Sequence, residues 1–223
     1  MVWRAGAGNA GAAGGDCRDS GAAVIVLGLT GSIGMGKSTA ASMLRRLGVP
    51  LFDADLAVHR LLASSGAAVP AVSAAFPGVE TAAGGIDRAL LGQRVFTDPA
   101  ALRRLETILH PMVAAEERRF LARSRARRVP LAVLDIPLLF ETGAERRCDY
   151  VLVVSAPALV QRQRVMRRPG MSEIRLNTIL RKQMPDYVKR RRADFVVTTG
   201  AGRNLTLRRL KSIVRLLRKR GRG

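Results

Sequence analysis

The sequence predicts an α/β fold in which a mainly parallel sheet of five strands is covered by helices on both faces. Short apolar runs, typical of strands buried on both sides, alternate with segments of helical periodicity. A glycine-rich loop joins the first apolar run to the first helix. A long helical stretch separates the second apolar run from the third, and we interpret it as an insertion between strands.

The five predicted strands are short and rich in Val, Ile and Leu, which favour buried strands. They span Val24–Leu29, Val49–Phe52, Leu131–Ile136, Tyr150–Val154 and Phe195–Thr198. Helical segments lie between them, so the connections are long enough for the crossovers that a parallel sheet requires.

Helical periodicity predicts four helices outside the insertion. The first, Lys37–Leu47, follows the glycine-rich loop. Gly48 supports a helix end there, because glycine is favoured just after a helix. The others span Val160–Arg168, Ser172–Met184 and Asn204–Leu217.

The insertion runs from about residue 56 to residue 128, and prolines and glycines punctuate it. Asp98 and Pro99 are predicted to be the N-cap and the first residue of one of its helices. His110 precedes Pro111 and is expected between helices. We interpret His110 as a cap or a buried hydrogen-bonding residue rather than a catalytic group.

The composition indicates a sizeable core and a strong positive charge. The chain has 223 residues, 48% of them hydrophobic, and a formal net charge of +21, which favours polyanionic partners. Few aromatic side chains accompany the basic C-terminal residues, so we do not expect nucleic acid as the partner. No apolar run approaches the roughly 20 residues of a membrane span, and no membrane partner is expected.

Both ends of the chain are predicted to lie outside the folded domain at 23–218. Residues 1–22 are interpreted as a disordered Gly/Ala-rich extension, because they lack the features of a signal or transit peptide. Residues 219–223 are interpreted as a basic tail. Cys17 and Cys148 are too few for a disulfide scaffold, which favours a cytoplasmic location. We expect a monomer.

The loop after the first strand matches a phosphate-binding pattern at every position. Its sequence GSIGMGKS, from Gly31 to Ser38 and called the phosphate loop below, fits G-x-x-x-x-G-K-[ST]. Glycines let successive backbone N–H groups point at phosphate oxygens, and the helix N-terminus adds partial positive charge. The predicted nucleotide-binding residues are Gly31, Ser32, Ile33, Gly34, Met35, Gly36, Lys37, Ser38 and Thr39.

ATP and Mg²⁺ are the predicted cofactors. Lys37 is expected to reach the β- and γ-phosphates, and the Ser38 hydroxyl is expected to ligate Mg²⁺. Asp135 ends the apolar part of the third strand, where a carboxylate can hold a water of the Mg²⁺ shell.

Among proteins with this loop, a small-molecule kinase fits the sequence best. The N-K-x-D tetrapeptide of GTPases does not occur, and the chain is short for a large ATPase. The acceptor hydroxyl of a kinase needs a nearby carboxylate. Asp53 and Asp55 follow the second strand, at the sheet edge that faces the phosphate loop in a doubly wound sheet. Position alone does not decide between them, and Asp53 is equally suited to cap a helix.

An ordered set of motifs resembles the dephospho-CoA kinase family over about nine-tenths of the chain. The matching segments are, in chain order, Gly28–Thr39 (GLTGSIGMGKST), Phe52–Asp55 (FDAD), Leu109–Pro111 (LHP), Ile136–Glu141 (IPLLFE), Gln161 with Arg164 (Q-x-x-R), Gln183 and Ala193-Asp194.

This resemblance implies a three-layer P-loop kinase fold with a helical substrate-binding insertion and a helical lid at about 160–190. It implies transfer of the ATP γ-phosphoryl to the 3′-hydroxyl of dephospho-CoA, the last step of coenzyme A biosynthesis. Asp55 matches the catalytic aspartate of the family, and Arg164 and Arg168 match lid arginines near the ATP phosphates. The catalytic residues we expect are Asp55, Lys37 and Arg164.

Two positions depart from the family pattern. The family often has arginine four residues after the catalytic aspartate, where this chain has His59 followed by Arg60, and a substituting role for Arg60 stays open. The family asparagine after the last strand is replaced near Thr199. The alternatives are another nucleoside or nucleotide kinase of the same fold, and a nucleic-acid-binding P-loop protein suggested by the net charge.

Overall fold

A computed structural model describes residues 24–96 and 98–221 and confirms the α/β fold with its five-stranded sheet. The strand order is β2-β3-β1-β4-β5, and the pairs β1–β3, β1–β4 and β4–β5 are parallel. The strands are β1 (Ile25–Thr30), β2 (Leu51–Asp53), β3 (Leu131–Asp135), β4 (Tyr150–Ser155) and β5 (Phe195–Thr198).

Helices connect the strands as the apolar periodicity predicted. They are α1 (Lys37–Arg46), α2 (Ala54–Leu62), α3 (Val69–Ala75), α4 (Arg88–Phe96), α5 (Pro99–Ala126), α6 (Ala158–Met166), α7 (Glu173–Lys182), α8 (Asp186–Arg192) and α9 (Arg203–Arg220), with a short 3-10 helix at Ala144–Arg147. No helix in the described part of the chain is both long and apolar enough to cross a bilayer.

The chain forms two compact units, whose boundaries fall within β2 and within α5. The first unit is Phe52–Ala122 and holds α2, α3, α4 and most of α5. In it the rings of Phe52 and Phe120 pack with centroids 5.8 Å apart. The sequence predicted a helical insertion at about 56–128, a range similar to that of this unit. The role of the insertion in binding an acceptor stays a prediction.

The second unit contains the central strands, α1 and the helices from α6 onward. Every residue of β3 is buried, as its apolar sequence LAVLD requires of a central parallel strand. Helix α9 buries Leu210, Val214 and Leu217, which share one helical face, in a core with residues of α1 and the sheet. This core fixes the strand ends that carry the candidate site.

The structure corrects several element boundaries. Helix α5 is continuous and contains Pro111, so the prediction that His110 lies between helices was wrong. Helix α8 was not predicted as a separate helix. Helix α9 extends to Arg220, so the first two residues of the predicted basic tail are helical. The predicted extension at 1–22 lies outside the described residues.

Two predicted helix ends are confirmed. Asp98 accepts a hydrogen bond from the Ala100 N–H at 2.7 Å, and α5 begins at Pro99. Gly48 follows α1 with a φ of +68°, the left-handed conformation that glycine adopts without strain.

Candidate active site

The phosphate loop leaves β1 and turns sharply into α1. Gly34 and Gly36 have φ angles of +76° and +90°, which residues with a Cβ adopt only at a cost. A Cβ at Gly34 would lie 2.6 Å from Val165 Cγ2, so close packing also excludes a side chain there. Met35 N–H donates to the Ser32 carbonyl at 3.1 Å and closes the turn. The two glycines therefore give the loop its path.

Lys37 and Asp135, which the sequence assigned to the phosphates and to Mg²⁺, form an ion pair. Lys37 Nζ lies 2.7 Å from Asp135 Oδ1. Asp135 ends β3 beside Leu29 of β1 and is 2% exposed, whereas the Lys37 side chain is partly exposed. Adjacent parallel strands thus bring together two residues that are far apart in sequence. The ammonium group of this loop residue compensates the charge of the buried carboxylate.

Oxygen donors suited to a magnesium ion are present at this end of the sheet. Ser38 lies in the first turn of α1 and is exposed, and Thr39 beside it is half-buried. Within residues 24–96 and 98–221, no three His, Cys, Asp or Glu residues gather into a metal cluster. Mg²⁺ usually keeps several waters and binds through substrate phosphates, so Ser38 and the Asp135 carboxylate are the residues here that could complete its shell.

Arg164, predicted to contact the phosphates, holds the phosphate loop from α6. Its Nη1 donates to Thr199 Oγ1 at 2.8 Å and to the Gly34 carbonyl at 3.4 Å. Its Nη2 donates to the Thr199 carbonyl at 2.9 Å. Arg168 lies beyond the end of α6 and is exposed. The structure therefore brings Arg164 to the loop and leaves Arg168 on the surface.

Thr199 joins β5 to the phosphate loop, a role that the sequence did not reveal. Its hydroxyl donates to the Met35 carbonyl at 2.7 Å and accepts the hydrogen bond from Arg164. The sequence marked this position only as one where the family has asparagine. Its place directly after β5 is the signal that pointed to the same end of the sheet.

Two glutamines from the segment at about 160–190 form hydrogen bonds with the phosphate loop, and the sequence did not predict this role. Gln161 Nε2 donates to the Ile33 carbonyl at 2.8 Å, and Gln183 Oε1 accepts from the Ile33 N–H at 3.1 Å. Both residues appeared in the motifs that resemble the kinase family, but spacing alone did not show what they contact.

Glu141, the last residue of the segment IPLLFE, lies in a turn before the 3-10 helix. Its Oε1 accepts from the Met184 N–H at 2.7 Å and lies 2.8 Å from Lys189 Nζ. Lys189 is fully buried, so the pair is an internal ion pair of the second unit.

A cavity of about 600 Å³ lies between the phosphate loop and α7. It is lined by both polar and apolar residues: Ser32, Gln161, Asn177, Leu180, Arg181, Met184, Pro185 and Asp186. Its volume is within the range of small-molecule pockets.

The two candidate base residues lie at the start of α2, in the first unit. Asp53 is the N-cap of α2, and its Oδ1 accepts from the Leu56 N–H at 3.0 Å. Asp55 follows in the first turn and is exposed. His59 and Arg60, the positions of departure from the family pattern, are exposed in the last turn of the same helix. With Asp53 serving as a cap, Asp55 has the more available carboxylate.

Comparison with known proteins shows which family this chain is similar to. A family model described as dephospho-CoA kinase matches residues 25–203. The dephospho-CoA kinase of Paramagnetospirillum magneticum is 63% identical over 86% of this chain and 91% of its own length. That of Mesorhizobium japonicum is 57% identical, over 87% of this chain and 98% of its own length.

Solved structures support the same fold. A crystal structure of a protein from Thermus thermophilus is 38% identical and superposes with a TM-score of 0.74, covering 87% of this chain and 98% of that one. A dephospho-CoA kinase structure from Campylobacter jejuni is 22% identical with a TM-score of 0.61, covering 86% and 96%, and shows the likeness of fold alone. The chain belongs to the dephospho-CoA kinase family, a family of ATP-dependent phosphotransferases.

Proposed function

We propose that this chain transfers the γ-phosphoryl of ATP to the 3′-hydroxyl of dephospho-CoA, the last step of coenzyme A biosynthesis. Relatives that are 57–63% identical over most of the chain carry the name of this activity, and that similarity is the observation on which the proposal rests. The phosphate loop, with Lys37 beside Asp135 of β3, supports the proposal because it offers donors and positive charge for phosphate groups.

The phosphate loop would bind ATP mainly through its backbone. Amides of the loop and the N-terminus of α1 provide partial positive charge, and no acidic residue lies in the first turn of α1 to oppose it. Lys37 would move from Asp135 towards the β- and γ-phosphates, where its charge offsets the charge that develops during transfer. Arg164 and Arg168 would add donors on the lid side.

Mg²⁺ is proposed as the metal, held by Ser38 Oγ and, through water, by Asp135. The ion would neutralise phosphate charge when bound with the nucleotide. The chain's own contribution is to fix these two oxygens, one by the start of α1 and one by the end of β3.

Asp55 is proposed to orient the acceptor hydroxyl and accept its proton. Asp53 provides a matched comparison, because it lies two residues away and caps α2. Asparagine caps helices as well as aspartate does, so Asp53→Asn should keep both the fold and the activity. Asp55→Asn should lower kcat by about 100-fold or more, the typical contribution of a positioned base, while ATP still binds.

The test of the function is direct. Purified protein is mixed with MgATP and dephospho-CoA, and ADP release is followed beside a Lys37→Ala control. A panel with AMP, adenosine and shikimate as acceptors separates this function from that of another kinase of the same fold. Turnover with dephospho-CoA no higher than that of the control would reject the proposal. Because the reaction draws on ATP, we also propose that the enzyme works in the cytoplasm.

A further inference from the structure

We propose that Gln161 and Gln183 are positioning residues that set the geometry of the phosphate loop for ATP through the two peptide groups of Ile33. Gln161 holds the Ile33 carbonyl at 2.8 Å, and Gln183 holds the Ile33 N–H at 3.1 Å. The inference concerns the ATP site and rests on the proposed function.

The two hydrogen bonds fix different peptide planes. The N–H of Ile33 belongs to the peptide that links it to Ser32, and its carbonyl belongs to the peptide that links it to Gly34. Gly34 has a φ of +76°, and as a glycine it can rotate about its backbone bonds when no hydrogen bond holds the loop. One bond on each side of Ile33 therefore removes the rotations by which this part of the loop would lose its shape.

Both glutamines are themselves held in place. Gln161 is 8% exposed and lies one helical turn before Val165, which is fully buried. Gln183 is the C-cap residue directly after α7, and the next residue, Met184, donates its N–H to Glu141 at 2.7 Å. Glu141 is in turn paired with the buried Lys189 at 2.8 Å. The acceptor on Gln183 is thus attached to a fixed part of the second unit and not to a free side chain.

A preorganised loop improves ATP affinity because its backbone amides are already ordered before the ligand arrives. Without either glutamine, the cost of ordering the Ser32–Ile33–Gly34 backbone would fall on ATP binding. The Michaelis constant of the acceptor depends on other residues and should change little. A general loss of folding would instead weaken the binding of both substrates and lower the melting temperature.

The experiment compares Gln161→Met and Gln183→Met with Gln163→Met. Methionine keeps the length of the side chain and removes the amide. Gln163 lies on the exposed side of the same helix as Gln161 and serves as the matched control. Binding of ATP is measured by calorimetry, and exchange of the Ile33 amide proton is measured by NMR without nucleotide.

We expect each loop-side variant to bind ATP about 2- to 12-fold more weakly, the effect of losing one hydrogen bond. Gln163→Met should bind ATP as the parent protein does. In Gln183→Met the Ile33 amide should exchange about tenfold faster, because its acceptor is gone. Gln183→Glu keeps an acceptor oxygen and should restore protection of that amide, even though its charge lowers ATP affinity.

Unchanged ATP affinity in both methionine variants, or unchanged exchange of the Ile33 amide in Gln183→Met, would overturn the inference. If Gln183→Met does not fold, the Gln161→Met and Gln183→Glu results decide alone. ATP binding needs no acceptor, so a protein that binds ATP but leaves dephospho-CoA unchanged would reject the proposed function without affecting this test.

Discussion

Replacing Lys189 by methionine should strongly destabilise the second unit. The Lys189 side chain is fully buried, and its Nζ lies 2.8 Å from Glu141 Oε1, while the Glu141 side chain is 12% exposed. Methionine fills most of the same space, so the main effect on stability is electrostatic. The substitution leaves the Glu141 carboxylate largely buried without the cation that balances it.

The magnitude follows from what Glu141 retains. Breaking a buried ion pair by removing one partner costs about 3–5 kcal/mol. Glu141 keeps the hydrogen bond from the Met184 N–H and a small exposed surface, which places the expected loss near the lower end, at about 3 kcal/mol. For a domain of this size, that corresponds to a fall in melting temperature of about 6–12 °C.

The assay is urea unfolding followed by circular dichroism, with a double variant as the internal comparison. In Glu141→Gln with Lys189→Met both charges are gone, and the glutamine oxygen still accepts from Met184, so stability should return to within about 1 kcal/mol of the parent. Lys211→Met, on the exposed face of α9, should change stability by less than about 0.5 kcal/mol. A loss below about 1 kcal/mol in Lys189→Met, or a double variant no more stable than the single one, would refute the argument.

Three further substitutions test local parts of the structure. In Gly34→Ala the new Cβ would lie 2.6 Å from Val165 Cγ2, and alanine would have to adopt the left-handed backbone conformation of Gly34. ATP affinity, measured by calorimetry, should therefore fall by about tenfold or more. Gly92→Ala, in α4, meets no atom within 4 Å and should raise stability to thermal unfolding by about 0.5–1 kcal/mol; a loss of stability would contradict this account. Arg218 Nη2 donates to the carbonyl of Gly48 at 2.9 Å at the end of α1, and Arg218→Ala should cost about 1–2 kcal/mol in urea unfolding. An unchanged midpoint would show that water replaces the arginine.

The parts of the site that the sequence predicted are those that depend on neighbouring residues or on strand order. The phosphate loop needs particular residue types at fixed positions, and all of them lie in one continuous segment. The sequence placed Asp135 at the end of the third strand, and it lies at the edge shared with β1 because adjacent parallel strands end at one edge; its ion pair with Lys37 was not predicted. Asp53 was left as a cap or a base, and the Leu56 N–H bond now shows that it caps α2.

The contacts that the sequence did not predict depend on the tertiary placement of helices. Gln161 and Gln183 reach Ile33 from α6 and from the end of α7, and nothing in their own segments encodes that distance. The same holds for Thr199, which reaches the loop from the end of β5. His110 was misplaced for a different reason, since a proline usually ends a helix, yet α5 continues through Pro111.

Arg164 was predicted to contact phosphate, and the structure shows that it also forms hydrogen bonds with Thr199 and Gly34. A guanidinium carries five N–H donors, and the hydrogen bonds to Thr199 and Gly34 use three of them. The remaining donors keep the capacity to bind a phosphate oxygen in the same fixed orientation, which is the property that distinguishes arginine from lysine at such sites. Because one side chain both braces the loop and carries charge to its edge, changes at Arg164 should lower ATP affinity and turnover together. Changes at Gln183, which carries no charge, should act on affinity.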